Sequence, residues 1–336
     1  MKRILITGAA GFVGCHLARE LSEVAGNQLV LVDNFVRGHP DEDFEAVTSR
    51  SNVQRLSADL TDPRTFEQIG TGFDCVYHLA AIIGVKNVMK RPWDVVQVNG
   101  LSTLHLLEWF RSGGAQKLLF SSTSEVYAWT QQFHGLPVPT PEDVPVALTD
   151  LGIARSSYAG SKIFGELAVT HACASAGKAF VIVRYHNVYG PRMGFEHVIP
   201  ELCKRVLSGQ NPLVVYSVDH IRAFCYITDA VSATIAAMES DVADGQTINI
   251  GTDEEVTIGD LAARVLRATN VTAGIAAQSA GYDPIKRRCP DISRARRLLG
   301  YRPQVSLSEG LERTLAWYEP RILTSRDQLI TARVES

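Results

Sequence analysis

Two rhythms of apolar and polar positions run along the chain. Residues 3–7 and 29–32 are short apolar runs, the mark of strands buried on both faces of a parallel sheet. Residues 53–57, 73–79, 117–121 and 180–184 predict four more strands. Between the first two lies a helical pattern, with Phe12, Val13, Leu17 and Leu21 on one side and Arg19, Glu20 and Glu23 on the other. Further helices are predicted from Thr61 or Asp62, with Pro63 in the first turn, and over 92–111 and 156–176. The polar segment 37–50 predicts a loop with a short helix. Residues 127–151, rich in proline and turn formers, predict an active-site loop.

Six strands alternating with helices predict an α/β fold, a doubly wound parallel sheet of Rossmann type with right-handed crossovers. From Tyr185 the pieces shorten, which predicts a smaller mixed α/β substrate lobe over 185–317. Residues 1–184 are expected to form the nucleotide domain, with 221–240, including a helix over 228–239, packing back on it. The tail, 318–336, shows no clear role in its pattern.

The junction between the first strand and first helix carries Gly8, Gly11 and Gly14 at GxxGxxG spacing. Glycine suits a turn where the backbone must approach a pyrophosphate and the helix must pack closely on the strand. The N–H groups and dipole of the helix start then favour phosphate. Asp33 lies 19 residues past Gly14, where a carboxylate can bond both ribose hydroxyls of an adenosine and repel a 2′-phosphate. The cofactor expected is therefore NAD, although Arg37 stands nearby. The small residues Ala80 and Ala81, after the fourth strand, suit close approach of a flat cofactor. Ligands of such sheets sit at the carboxyl ends of the strands, so Gly11, Ala80 and 122–125 are expected around one crevice.

Composition narrows the class further. A chain of 336 residues with 46% hydrophobic and 21% charged residues is an ordinary globular protein. Its net charge of −3 gives no reason to expect nucleic acid or an anionic membrane as partner. No apolar run approaches the ~20 residues of a membrane span, and the N-terminus enters a strand at once, so a cytoplasmic protein without a signal peptide is expected. The six cysteines form no CxxC pair and the nine histidines no HxxxH or HExxH pair, so no metal site is predicted.

The chemistry is expected at Tyr158 and Lys162, a Tyr-x-x-x-Lys pair whose spacing puts both side chains on one helix face. A phenol is a poor base at neutral pH. A neighbouring ammonium and a positive nicotinamide both favour the phenolate, which can take a hydroxyl proton while hydride leaves the same carbon.

On these motifs the chain resembles the extended short-chain dehydrogenase/reductases, in the branch of nucleotide-sugar epimerases, dehydratases and decarboxylases. The motifs are TGAAGFVG, Asp59-Leu60, HLAA, Asn99, SSTSEVY, YAGSK, the run from Arg184 to Met193, Arg222-Ala-Phe, Asn249-Ile-Gly and Arg288-Cys-Pro-Asp-Ile. The resemblance implies a tightly held NAD, a UDP- or TDP-sugar substrate, and a homodimer through helices near 97–112 and 156–176. It implies cofactor contacts from Gly8, Gly11, Phe12, Val13, Gly14, Asp33, Asn34, Asp59, Leu60, Leu79, Ala80, Ala81, Asn99, Ser121, Ser122, Tyr158, Lys162 and Tyr185. Asn187, Arg192 and Arg288 match positions serving the nucleotide, with His197 and Val198 lining the crevice.

The reaction turns on Thr123-Ser124-Glu125. In 4,6-dehydratases the second position is an Asp that protonates the departing hydroxyl, which neutral Ser124 cannot do. The triplet followed by Val126-Tyr127 resembles UDP-glucuronate decarboxylases, which pair that Glu with the arginine matching Arg222. The resemblance thus implies that Arg222 orients the sugar carboxylate, that Glu125 acts beside it, and that Thr123 and Ser124 hold the C4 oxygen. The product expected is UDP-xylose, or a released 4-keto pentose. The same triplet occurs in GDP-mannose 4,6-dehydratases, and a 4-epimerase shares the first hydride transfer. Arg222 also has a reading as a surface or phosphate-binding arginine, and Glu125 as a polar strand end. A non-catalytic NAD-binding scaffold would have no need of Tyr158 and Lys162. Three departures bear on the site: Ala128 replaces a usual glycine, His186 a usual aromatic or apolar residue, and 217–220 a glycine-containing turn.

Overall fold

The computed structural model describes residues 1–148, 150–279 and 285–334. The first half alternates strands β1 (Lys2–Thr7), β2 (Asn27–Asp33), β3 (Val53–Ser57), β4 (Phe73–His78), β5 (Ala115–Thr123) and β6 (Ala179–Tyr185) with helices α1 (Phe12–Glu23), α2 (Glu42–Thr48), α3 (Thr65–Ile69), α4 (Val85–Lys90), α5 (Pro92–Trp109), α6 (Ala128–His134) and α7 (Ser156–Ala176). After β7 (Val188–Tyr189) come α8 (Val198–Leu207), β8 (Leu213–Tyr216), β9 (Ile221–Ala223), β10 (Cys225–Tyr226), α9 (Ile227–Glu239), β11 (Gln246–Ile250), β12 (Glu255–Thr257), α10 (Ile258–Ala268), β13 (Ile275–Gln278), β14 (Arg287–Arg288), α11 (Ser293–Leu299) and α12 (Leu307–Val334).

The main sheet is parallel throughout, in the order β11-β6-β5-β4-β1-β2-β3. It has seven strands where the pattern predicts six. The seventh, QTINI, joins late because α9 carries the chain back across the sheet to pair β11 with β6. Side chains alternate across the pleat, so Ile4, Ile6, Leu29, Leu31 and Tyr77 enter one core, with Leu17, Leu21, Ala230 and Val231. Leu5, Val30, Val32, Val76 and Phe120 enter the other, with Leu106, Val169 and Cys173. Both faces are buried, which is why these strands read as apolar runs. Strand order reverses between β2 and β4 at β1, the switch point where sheets of this kind take their ligands.

Two predicted segments differ. The segment 127–151 is not all loop: a 3-10 turn over Ser124–Tyr127 runs into α6, and Ala128, at φ −57° and ψ −46°, continues the turn as helix where glycine would have released it. The helix expected from Thr61 or Asp62 begins only at Thr65, because Asp59 and Asp62 bind the N–H groups of Thr61 and Arg64 in turns of their own. At the C-terminus the expected tail is α12, which continues through Pro320. Both oxygens of Asp229 accept N–H groups at 3.0 Å from Gln304 and Val305, fixing its approach, and Tyr318 is buried. Residues 335–336 lie outside the described residues. All six cysteines are free and buried. Among the described residues, no helix is long and apolar enough to cross a membrane, and no group of three or more His, Cys, Asp or Glu could hold a metal ion.

Candidate active site

The turn after β1 is built by close approach. Gly8 has φ 71°, and a Cβ there would lie 2.7 Å from the Ala80 nitrogen; one on Gly14 would lie 2.9 Å from Ala9 Cα. Gly11 starts α1 without a side-chain cap, so the first N–H groups of the helix have no protein acceptor from it. A backbone this bare at a helix N-terminus fits a dinucleotide diphosphate. At the end of β2, Asp33 accepts the N–H groups of Ala10 at 3.0 Å and Phe35 at 2.8 Å; burial raises its carboxyl above the ordinary value, while these bonds pull the other way. Asn34 donates to Asp59 at 3.1 Å, and Leu60 is buried beside them. Phe12 and Val13 pack on the core from the first helical turn.

Leu79, Ala80 and Ala81 form a strap after β4. Ala80 N–H donates to Thr7 Oγ1 at 3.4 Å. The Asn99 amide is committed within the protein: it accepts from Ile82 N–H at 2.7 Å and donates to the Ser161 hydroxyl at 3.0 Å, which itself donates to the Tyr158 carbonyl. Asn99 therefore ties the strap to α7.

At the end of β5, Lys162 Nζ donates to the Ser121 carbonyl at 2.8 Å, and burial lowers its pKa to about 8. Around Tyr158 the protein by itself disfavours the phenolate. Burial first, and the Glu125 carboxylate second, push its phenol up to about 12, against a hydrogen bond with Thr123 and the charge of Arg37. The Ser122 hydroxyl is buried and donates to Glu166 at 2.5 Å. Glu166 is gripped by Arg184, with Nε to Oε1 at 2.9 Å and Nη2 to Oε2 at 2.6 Å. Arg184 donates to Tyr127 Oη at 2.7 Å, and Tyr127 to Asn249 at 2.9 Å. His186 meets the same Asn249 oxygen at 3.0 Å, and burial lowers its pKa to about 4, so the imidazole is neutral. This buried polar chain holds the ends of β5, β6 and β11 together under the crevice. The Tyr185 phenol bonds Thr234 on α9 at 2.8 Å.

Glu125 is the charged centre of the other wall. Arg155 bonds both its oxygens, with Nη2 2.9 Å from Oε2 and 3.2 Å from Oε1, and Arg288 Nη1 meets Oε1 at 2.6 Å. Burial works against charge on Glu125, but the two guanidiniums hold its pKa down to about 2. Thr123 Oγ1 accepts the Glu125 N–H at 3.3 Å, and Ser124 opens the 3-10 turn between them.

Arg222 is not bonded to Glu125. It sits on β9 opposite Arg288 of β14, and its guanidinium donates to the carbonyls of Ile221, Ile285 and Lys286. The departing turn 217–220 contributes, with Ser217 at φ 51° and His220 Nδ1 3.4 Å from Arg222 Nη2. Asn187, at φ 38°, spends its amide on the Ala223 carbonyl at 3.0 Å. Arg192 reaches the glycine turn, donating to the Gly11 and Ala10 carbonyls, and is paired with Asp41 at 2.8 Å. His197 and Val198 open α8; burial lowers the His197 pKa.

Arg155 and Glu166 were not among the expected site residues. Arg155 precedes α7 three residues before Tyr158, and its partner lies 30 residues earlier. An arginine just ahead of Tyr-x-x-x-Lys is the signal that could have found it.

The family model described as the NAD dependent epimerase/dehydratase family matches residues 4–251. The chain is 34% identical to a UDP-N-acetyl-alpha-D-glucosaminuronate decarboxylase of Bacillus cytotoxicus, over 94% of this chain and 98% of that protein. It is 32% identical to UDP-glucuronic acid decarboxylase 1 of Xenopus tropicalis, over 96% of this chain and 73% of that protein. Among solved structures it is similar to UDP-glucuronic acid 4-epimerase of Bacillus cereus in complex with UDP-glucuronic acid and NAD, with a TM-score of 0.82 and 29% identity, covering 95% of this chain and 99% of the other.

Proposed function

The chain belongs to the NAD dependent epimerase/dehydratase family, and from that premise we propose that it decarboxylates a UDP-linked hexuronate such as UDP-glucuronic acid. The observation that carries the reading is the Glu125–Arg155–Arg288 cluster beside Tyr158. The cluster brings the forked donors of Arg155 and Arg288 to a partly buried wall, and Arg222 stands opposite Arg288 on the neighbouring strand. Such a wall favours a substrate that carries a carboxylate as well as a diphosphate. The names of the two decarboxylases similar over most of the chain point the same way.

NAD, which the glycine turn and Asp33 would hold, would supply the acceptor and later the donor of the C4 hydride, and its positive ring would favour the Tyr158 phenolate that the protein by itself disfavours. Tyr158 takes the C4 hydroxyl proton, with Thr123 and Ser124 holding the C4 oxygen. The C4 ketone is then β to the C6 carboxylate. As CO2 leaves, the C5–C6 electron pair moves into the C5–C4 bond and onto the oxygen that these hydroxyls hold. C5 takes a proton from water, and Tyr158 gives its proton back to the C4 oxygen as the hydride would return to C4. Glu125, ionised with its pKa near 2, is not the acid for C5. It keeps two guanidiniums aimed at the sugar's carboxylate end.

The 4-epimerase is the second reading, favoured by the similarity to the Bacillus cereus enzyme. Mass spectrometry of the sugar nucleotide after incubation with UDP-glucuronic acid, and in parallel with its 2-acetamido analogue, separates the two. Loss of the mass of CO2 from either supports decarboxylation; unchanged mass with inverted C4 identifies an epimerase.

We also propose a homodimer with a second copy of this chain against α5 and α7, which pack on each other. Their outer faces expose Trp93 (68%), Val96 and Leu104 on one helix and Phe164 and Leu167 (57%) on the other, at helical spacing. Two such stripes facing each other would form a four-helix seam.

A further inference from the structure

Arg192 is held in a conformation that few non-glycine residues adopt, with φ 71°. Its side chain is only 4% exposed, and its nitrogens are spent on two separate loops. Nη1 donates to the Gly11 carbonyl at 3.2 Å and Nη2 to that of Ala10 at 3.3 Å, both in the glycine turn. Nη2 also reaches the His39 carbonyl at 3.2 Å, and Nε pairs with Asp41 at 2.8 Å, both in the loop after β2. With its other oxygen Asp41 caps α2, accepting the Phe44 N–H at 3.0 Å. The two loops are in contact at their tips, since a Cβ on Gly38 would lie 2.7 Å from Ala10 Cβ. One guanidinium, 181 residues further along the chain than Gly11, thus clamps the two segments that flank Asp33.

The direction of these bonds matters. In a trans peptide the C=O and N–H point opposite ways. The Gly11 carbonyl belongs to the same peptide as the Phe12 N–H, so a donor gripping that carbonyl from behind aims the N–H out of the start of α1, toward the diphosphate side. The Cys15 N–H bonds the same carbonyl from within the helix at 3.1 Å, so the peptide is fixed from both sides.

We propose that Arg192 is a positioning residue of the dinucleotide cradle. It presets the glycine turn and the adenosine-side loop as one unit, and makes retention of NAD depend on segment 190–197, which leads directly into His197 and α8. The inference rests on the family's cofactor, not on which sugar reaction follows.

The test uses the full chain. NAD carried through purification is quantified after acid release, and the Kd for added NAD is measured by calorimetry for wild type, R192M, R192K and D41N. Apoprotein melting temperature and the Kd for UDP alone are recorded alongside. D41N keeps the helix cap, since Asn caps as well as Asp, but removes the ion pair. The clamp predicts that R192M weakens NAD by about ten- to a hundredfold, the loss of charge-assisted hydrogen bonds. R192K should recover part of this, and D41N should weaken NAD by about tenfold while UDP affinity holds. Should R192M fail to fold, D41N and R192K decide. NAD affinity within about twofold of wild type in D41N and R192K, or equal loss of NAD and UDP affinity, overturns the proposal. No hexuronate is present in these titrations, so the outcome is independent of the decarboxylase reading.

Discussion

Arg155 and Glu125 meet side-on, Arg155 Nε and Nη2 lying 3.1 and 2.9 Å from the same carboxylate oxygen and Nη2 3.2 Å from the other. Arg155 stands at the start of the helix bearing Tyr158, and Glu125 in the turn after β5. The pair therefore joins the turn after β5 to the helix that bears Tyr158.

Removing Arg155 should cost turnover and acid resistance together. R155A is expected to lower kcat for decarboxylation about ten- to a hundredfold through misplacement of Glu125 and Arg288. The pH effect has a definite sign. Glu125 is depressed from 4.5 to about 2, so its contribution to stability is complete above 4.5 and is lost as the pH falls from there through about 2. R155A relaxes the depression, so acid unfolding followed by circular dichroism should begin at higher pH than in wild type. Coincident acid transitions would deny the pair a stabilising role.

Tyr158 should behave as a proton carrier whose basicity depends on the bound cofactor. Y158F is expected to reduce turnover by about 10²–10⁴-fold and to leave NAD binding unchanged. In the apoprotein the phenol is raised from 10 to about 12, so the stability it contributes is present below pH 10 and lost as the pH rises through 12. The tyrosinate difference spectrum, wild type minus Y158F, should therefore titrate near 12 in apoprotein and lower with NAD. A cofactor-independent midpoint would contradict the account.

Glu166 neutralises a buried arginine, and a buried charge deprived of its partner is costly. E166Q leaves Arg184, 7% exposed, without its carboxylate, and should destabilise the fold by about 3–5 kcal/mol in urea unfolding. A change below about 1 kcal/mol would mean that the Tyr127 hydroxyl and the Glu142 carbonyl, which accept from Arg184 Nη1 at 2.7 and 3.2 Å, suffice for Arg184.

The apolar faces of α5 and α7 should hold two copies together. L167R is expected to convert a dimer to monomer in light scattering at unchanged NAD content. An unchanged mass in L167R and W93E would move the interface elsewhere.

Much of the fold was legible because strands buried on both faces advertise themselves. Residues 53–57 and 156–176 begin and end where the pattern puts them. What escaped detection depends on distant partners. QTINI is short and half polar, and becomes a strand only because β6 offers an edge. In α6 no side-chain cap announces a helix, and proline follows soon after. The motif residues Gly8 and Gly14 follow β1, Asp33 ends β2, and Lys162 reaches the Ser121 carbonyl at the end of β5. The arginines proved harder. Arg155 and Arg288, not Arg222, meet Glu125, and the pairing of β9 with β14 that sets Arg288 across from Arg222 leaves no periodic trace in sequence.

The most direct test of the decarboxylase reading uses UDP-glucuronic acid deuterated at C4, with NMR and mass spectrometry of the sugar nucleotide and capture of released gas. The account predicts release of CO2 and a UDP-pentose that retains deuterium at C4, because the hydride that leaves is the one returned. A product that keeps its carboxylate and differs only in C4 configuration would contradict it and make the protein an epimerase.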